Sequence, residues 1–177
     1  YLLQRKLGQG GMGAVYVGVH KTLQSSRAIK VLLPTEVDEA VIERFVREGI
    51  ISASLRHPNI VEIFDVGEQD DLHYLVMELV EGDSLHQLLR KHGAMPLDRA
   101  VMLLRQMADA LDYAHSRGIV HRDIKPSNII VEPNDAVTLI DFGIARAMDE
   151  SRLTRAGVVV GTFEYMAPEV VTEGGGT

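Results

Sequence analysis

The chain has 177 residues, 46% hydrophobic and 24% charged, with a formal net charge of −7. That is a globular balance, large enough for a real core, and it excludes a disordered or fibrous chain and argues against a general nucleic-acid or anionic-membrane surface. With no cysteine, no paired histidine-ligand spacing and no uncharged apolar run near the roughly 18 residues of a membrane span, disulfides, thiolate chemistry, cysteine zinc sites and a spanning segment are all excluded within this sequence.

The first third reads as strands. Tyr1 to Leu7 precedes a glycine-rich turn, Ala14 to Val19 alternates with period two, and Arg27 to Leu33 ends at Pro34. Helical spacing then runs from Asp38 to Leu55, with Val41, Phe45, Ser52 and Leu55 on one face and Glu48 beside them. Two more strands, Ile60 to Val66 and His73 to Leu79, flank the polar turn Gly67 to Asp71 and complete an expected five-stranded antiparallel sheet. From Ser84 the pattern turns helical: Ser84 to Lys91 closes at Gly93, and a longer helix opens at Pro96 or Leu97 with the stripe Val101, Leu104, Ala108 and Leu111, and stops at Gly118. Val80 to Asp83 is the expected boundary between a strand-rich and a helix-rich lobe, and clefts between lobes are common ligand sites.

His121-Arg122-Asp123-Ile124-Lys125-Pro126-Ser127-Asn128 follows that helix and leads into two short β-branched strands, Ile129 to Val131 and Val137 to Ile140, around the turn cluster Glu132 to Asp135. A turn centred between Asn134 and Asp135 makes positions summing to 269 face each other, which sets Asn128 opposite Asp141 of Asp141-Phe142-Gly143. A carboxylate and an amide oxygen side by side form a hard-oxygen site suited to Mg²⁺. Asp123 adds a general base and Lys125 a cation, the components of a phosphoryl-transfer site.

Gly8-Gln9-Gly10-Gly11-Met12-Gly13 contains GxGxxG, a weak signal alone, since glycines also serve ordinary hairpins. A dinucleotide-binding turn requires a following helix, whereas Ala14 to Val19 alternates like a strand, so a Rossmann enzyme is excluded. A glycine hairpin can instead fold over phosphates, its backbone N–H groups approaching the oxygens. Lys30 and Glu48 both sit on otherwise apolar faces, which is costly unless they pair; the alternative is two charges tolerated at element edges.

Six motifs now stand in order: the glycine loop, Ala28-Ile29-Lys30, Glu48, His121 to Asn128, Asp141 to Gly143, and Ala167-Pro168-Glu169. On these the chain resembles the catalytic domain of eukaryotic-type protein kinases, and Gly8 to Tyr16 is particularly similar to the bacterial serine/threonine branch. These motifs are the signature of that class, so the match identifies the family by motif and does not derive it. The resemblance covers nearly the whole chain. It implies an α+β, two-lobed fold: residues 1–80 form an N-lobe with a five-stranded sheet and one helix, and residues 81–177 form a mostly helical, truncated C-lobe. No initiator Met precedes Tyr1, and Glu173 to Thr177 follow straight after a motif, so a fragment is expected.

The resemblance also implies roles. Lys30, oriented by Glu48, would contact ATP phosphates; Asp141 and Asn128 would hold Mg²⁺, with Mn²⁺ an alternative; Asp123 would accept the substrate proton, and Lys125 would steady the transferred group. Leu7, Gly8, Gly10 and Gly13 would cover the nucleotide, Met77 would be the gatekeeper, and Glu78 to Val80 the hinge to adenine. Val15, Ala28 and Ile130 would sandwich the ring, although plain core packing accounts for them equally well. Lys125 together with Gly161-Thr162 is similar to serine/threonine kinases, which implies protein Ser or Thr as substrate. Ile144 to Met166 reads as an activation segment, with Thr154 as the candidate phosphorylation site, Ser151 a weaker one, and Arg122 positioned to bind a phosphate through bidentate contacts. A kinase-domain dimer and a cytoplasmic location, tethered to a membrane by parts of a longer chain, are compatible with the resemblance. So is a rival from another class, a nucleotide-binding pseudokinase scaffold without turnover. Two departures stand out. Ser52 occupies a helix position where many relatives are apolar, and the helices that should follow Glu169 are missing, which exposes the long helix from Leu97.

Overall fold

The structure, a computed structural model, describes residues 1–10, 13–33, 39–142 and 165. Gly143, Ser151, Thr154, Thr162 and the Ala167-Pro168-Glu169 motif lie outside the described residues.

Five strands form one antiparallel sheet: β1 (Leu2–Gly10), β2 (Gly13–Val19), β3 (Ser26–Leu32), β4 (Ile63–Gln69) and β5 (Leu72–Met77), in the order β1-β2-β3-β5-β4. Helix α1 (Glu39–Ala53) packs on it through Phe45, Gly49 and Ser52. The core beneath joins Ala28, Leu32, Phe45, Val61, Leu75 and Met77. One strand starts later than its apolar run suggests. Residues 59–61 leave β4 and pair with the second sheet instead: the Leu139 N–H donates to the Asn59 carbonyl at 2.8 Å and the Val61 N–H to the Leu139 carbonyl at 3.0 Å.

The second part of the chain carries β6 (Asp83–Ser84), α2 (Leu85–His92), α3 (Leu97–His115), a 3₁₀ turn (Pro126–Asn128), β7 (Ile129–Val131) and β8 (Val137–Leu139), with β6, β7 and β8 making a three-stranded sheet. Ser84 caps α2 in a reciprocal capping box with Gln87, and Gly93 ends it at φ 73°. Gly118, at φ 71°, turns the chain after α3.

Two sequence expectations are corrected here. The buried face of α3 is Leu103, Met107, Ala110 and Ala114; Val101 and Leu104 of the expected stripe are 38% and 58% exposed. Both sets repeat with helical period, and the helix packs against β8 through the other one. The hairpin register also differs by one residue. Ile129 pairs with Leu139, Ile130 with Thr138 and Val131 with Val137, because the loop includes Ala136, whose N–H donates to Asn134 Oδ1 and whose carbonyl accepts from Glu132 N–H, both at 2.9 Å. Asn128 therefore faces Ile140, whose N–H it accepts at 3.0 Å, and Asp141 stands one residue further along.

Candidate active site

Strand β3 sets Lys30 in a row with Val15 on β2 and Leu75 on β5, its two cross-strand partners. Its Nζ lies 2.8 Å from Asp141 Oδ1, a contact between the first sheet and the end of the hairpin. Lys30 and Glu48 were expected to pair, and they form no salt bridge; Asp141 has taken the ammonium instead. Burial opposes the charge on Lys30, yet the carboxylates of Asp141, Glu48 and Asp123 outweigh it and hold the lysine pKa above its ordinary value. Glu48 shows the reverse balance. Burial raises its carboxyl to about 7 despite the pull of Lys30.

The loop before β7 is wound around Asp123. Lys125 Nζ donates to Asp123 Oδ2 at 2.7 Å, and Asn128 Nδ2 donates to both the Asp123 carbonyl and Oδ2 at 2.9 Å. Arg122 makes this turn with φ 62°, and Asp141 has φ 55°; left-handed backbone at non-glycine residues costs of order 1 kcal/mol or more and persists where surroundings enforce it. Between them the chain buries His121, whose ring lies 4.4 Å from that of Phe142. The His121 Nδ1 accepts the Asp123 N–H at 3.3 Å, which assigns the proton to Nε2, and that atom makes no hydrogen bond among the described residues. Burial pushes the His121 pKa down, against the nearby Ile140 carbonyl and the Asp123 carboxylate. Arg122 itself is exposed.

The donor set fits a divalent metal. Asn128 commits its nitrogen to Asp123, which leaves Oδ1 as an acceptor, and Asp141 uses Oδ1 for Lys30 and keeps its other oxygen. Among the described residues no three His, Asp or Glu cluster together. A metal here would need waters and phosphate oxygens to complete its shell, as Mg²⁺ prefers.

The nucleotide candidates divide by what packing explains. An added Cβ at Gly8 or Gly10 would meet nothing within 4 Å, so no neighbour demands glycine there; at Gly13 it would fall 2.2 Å from the Val31 carbonyl oxygen, so packing alone requires that glycine. Ala28 and Met77 are cross-strand partners and both are buried, with Val15 and Val80 packed against the same core. Leu7 is exposed and Ile130 half-buried. The Glu78 N–H donates to the Glu62 carbonyl at 2.9 Å, which commits it to the β4 side. A larger cavity of about 320 Å³, lined by residues including Arg56, His57, Glu62 and Glu78, holds none of Lys30, Asp123, Asn128 or Asp141. Chemistry, and not volume, locates the site.

Sequence reading missed Asn59, whose Nδ2 donates to the Val137 carbonyl at 2.7 Å and to Gln106 Oε1 at 3.1 Å, tying the segment before β4 to the hairpin and α3. A polar residue directly before an apolar run was the available signal.

The whole chain, residues 1–177, matches the family described as Protein kinase domain. It is 44% identical over 96% of its length to the serine/threonine-protein kinase PknH of Mycobacterium bovis, covering 28% of that protein. It is 44% identical over 97% of its length to PknD of Mycobacterium tuberculosis, covering 26%, and 42% identical over 96% to the probable serine/threonine-protein kinase PknB of Lactococcus lactis, covering 27%. The chain thus spans about a quarter of the length of these relatives. Membership implies ATP and a divalent metal, and a match from the first residue to the last, at these identities, means that the chain belongs to the protein kinase domain family.

Proposed function

We propose that the chain is the nucleotide-binding and catalytic part of a protein serine/threonine kinase, moving the γ-phosphoryl group of ATP to Ser and Thr hydroxyls of proteins. The knot of Asp123 with Lys125 and Asn128, at 2.7 and 2.9 Å, carries this reading. It holds a carboxylate rigidly beside the Lys125 ammonium, where it can accept the proton of an attacking hydroxyl. Lys125 and Lys30 set fixed positive charge where negative charge develops, and most of the catalysis is such positioning. Asn128 and Asp141 would hold Mg²⁺, or Mn²⁺ in its place, and the metal supplies neutralisation of the phosphate oxygens. Gly8 and Gly10 would bring bare backbone over the phosphates, with Leu7, Val15, Ala28, Met77 and Ile130 around the base and Glu78 to Val80 as the hinge.

The proposal extends to organisation. Residues 1–80 and 81–177 form the two lobes of a cytoplasmic kinase domain, tethered to a membrane through segments outside this chain and capable of pairing with a second copy. No described helix is long and apolar enough to cross a membrane. Thr154 is the proposed autophosphorylation site, with Arg122 as its phosphate ligand and Thr162 acting within the same segment. A Thr154→Ala variant of the full-length protein is expected to lose most autophosphorylation and to fall in activity; unchanged activity and labelling would remove the assignment.

One observation favours a second reading, a nucleotide-binding scaffold without turnover: Lys30 is engaged by Asp141 and not by Glu48. Incubating the full-length protein with labelled ATP, Mg²⁺ and a generic basic protein separates the two. Label transfer that vanishes in Asp123→Asn supports the kinase, whereas nucleotide binding with no transfer by either protein supports the scaffold.

A further inference from the structure

Val15, Lys30, Leu75 and Val66 stand in one row across β2, β3, β5 and β4, because each is the cross-strand partner of the next. Directly opposed residues share a face of the sheet. Helix α1 crosses this row at Gly49. A Cβ added there would lie 2.4 Å from Leu75 Cδ2 and 2.9 Å from Val66 Cγ2, closer than real Cβ atoms come to any neighbour. Of these two neighbours Leu75 is the more confined, Val66 being half-buried. Leu75 is 4% exposed, and the cavity beside it, shared with Glu48, Ser52 and Phe142, is about 10 Å³, the space of one water.

Glycine weakens a helix relative to alanine, so its presence in the middle of α1 has a cost that must be offset by what the missing side chain permits. What it permits is a flush seat. Glu48 immediately precedes Gly49, and Leu75 is the direct neighbour of Lys30. The height of the helix over Leu75 therefore sets the gap between the Glu48 carboxylate and the Lys30 ammonium.

We propose that Gly49 is a positioning residue for phosphoryl transfer: its missing side chain seats α1 on Leu75 and Val66 and so keeps Glu48 within reach of Lys30. This rests on the proposed function, with Glu48 orienting Lys30 during turnover; in this structure the Lys30 ammonium is held by Asp141. A displacement of the helix by a fraction of an ångström to about one ångström is large for a catalytic constellation, where such errors cost up to about 100-fold.

The test compares Gly49→Ala, Leu75→Val, the double variant and Glu48→Gln in the full-length protein, measuring kcat, KM for ATP and Tm. Gly49→Ala is expected to lower kcat by about 10- to 100-fold with KM for ATP little changed, the pattern of a lost transition-state contact. Its Tm should move little, because alanine's better helix propensity offsets crowding. Adding Leu75→Val should restore most of kcat while lowering Tm, since it removes the obstructing methyl and also core volume. Activity then rises as stability falls, which a purely structural role does not produce. Wild-type kcat in Gly49→Ala alongside a deep loss in Glu48→Gln overturns this inference alone, whereas wild-type kcat in Glu48→Gln removes the parent reading and the inference with it. A Gly49→Ala protein that fails to fold, or whose kcat Leu75→Val does not rescue, assigns the contact to packing and overturns the proposal.

Discussion

Burial lifts the Glu48 carboxyl from an ordinary 4.5 to about 7, so near neutrality this side chain is divided between two charge states. The folded state binds its proton more tightly than the unfolded chain does. Its contribution to stability is therefore fully present below about pH 4.5 and is lost as pH rises through about 7. Glu48→Gln, which stays neutral, is expected to have a higher urea midpoint than the parent at pH 8, and the gap should close as pH falls towards 4.5. A gap that is constant across that range would show that the Glu48 pKa is the same in the folded and unfolded states. At this scale much was legible. Asp123, Lys125 and Asn128 could be picked out because their spacing within one loop is local, and the loop folds them together. The partner of Lys30 could not, because Asp141 lies 111 residues away and competes with Glu48 through tertiary distances that no spacing encodes.

Local patterns also bounded the elements well, and erred where two arrangements fit one pattern. Helix α3 is apolar on two sides. Val101 and Leu104 repeat with the same period as Leu103, Met107 and Ala110, and packing on β8 and the hairpin selects the second set, with Leu111 of the expected stripe packed against that core. Leu103→Ala in the 177-residue chain is accordingly expected to cost about 2–5 kcal/mol, and Leu104→Ala, at a position 58% exposed, about 0.5 kcal/mol or less, both read from denaturant titrations. Equal costs would contradict the assigned face. The hairpin shows the same limit. A four-residue and a five-residue loop are both consistent with the turn residues from Glu132 to Ala136, and the Asn134 side chain bonding the Ala136 N–H decides for the longer one. That single residue moves Asn128 from Asp141 to Ile140 as its facing partner. Gly49 was passed over because a pattern of apolar residues has no symbol for a contact that requires the absence of a side chain.

Over the molecule as a whole, two cores are joined by a narrow set of links. Backbone pairing ties residues 59–61 to Leu139, Asn59 anchors to Val137 and Gln106, and the Lys30–Asp141 ion pair closes the gap between β3 and the end of the hairpin. The groups proposed to react come from both sides of that junction: Lys30 and Glu48 from the sheet and its helix, Asp123, Lys125, Asn128 and Asp141 from the loop and hairpin. The change from strand-like to helical patterning near Val80 to Asp83 pointed to two parts, and Leu55 and Ile60 cross that division by joining the core of α3 and the hairpin. The junction itself depends on long-range pairing and became visible only in three dimensions. The central claim is that this junction performs phosphoryl transfer with Asp123 as base. The most direct measurement is the initial rate of label transfer from γ-labelled ATP to a protein substrate by the full-length protein and its Asp123→Asn variant, with the labelled residues identified after hydrolysis. The account predicts phosphoserine and phosphothreonine from the parent and a rate at least about 100-fold lower in the variant; equal rates in the two proteins, or label carried on tyrosine alone, would contradict it.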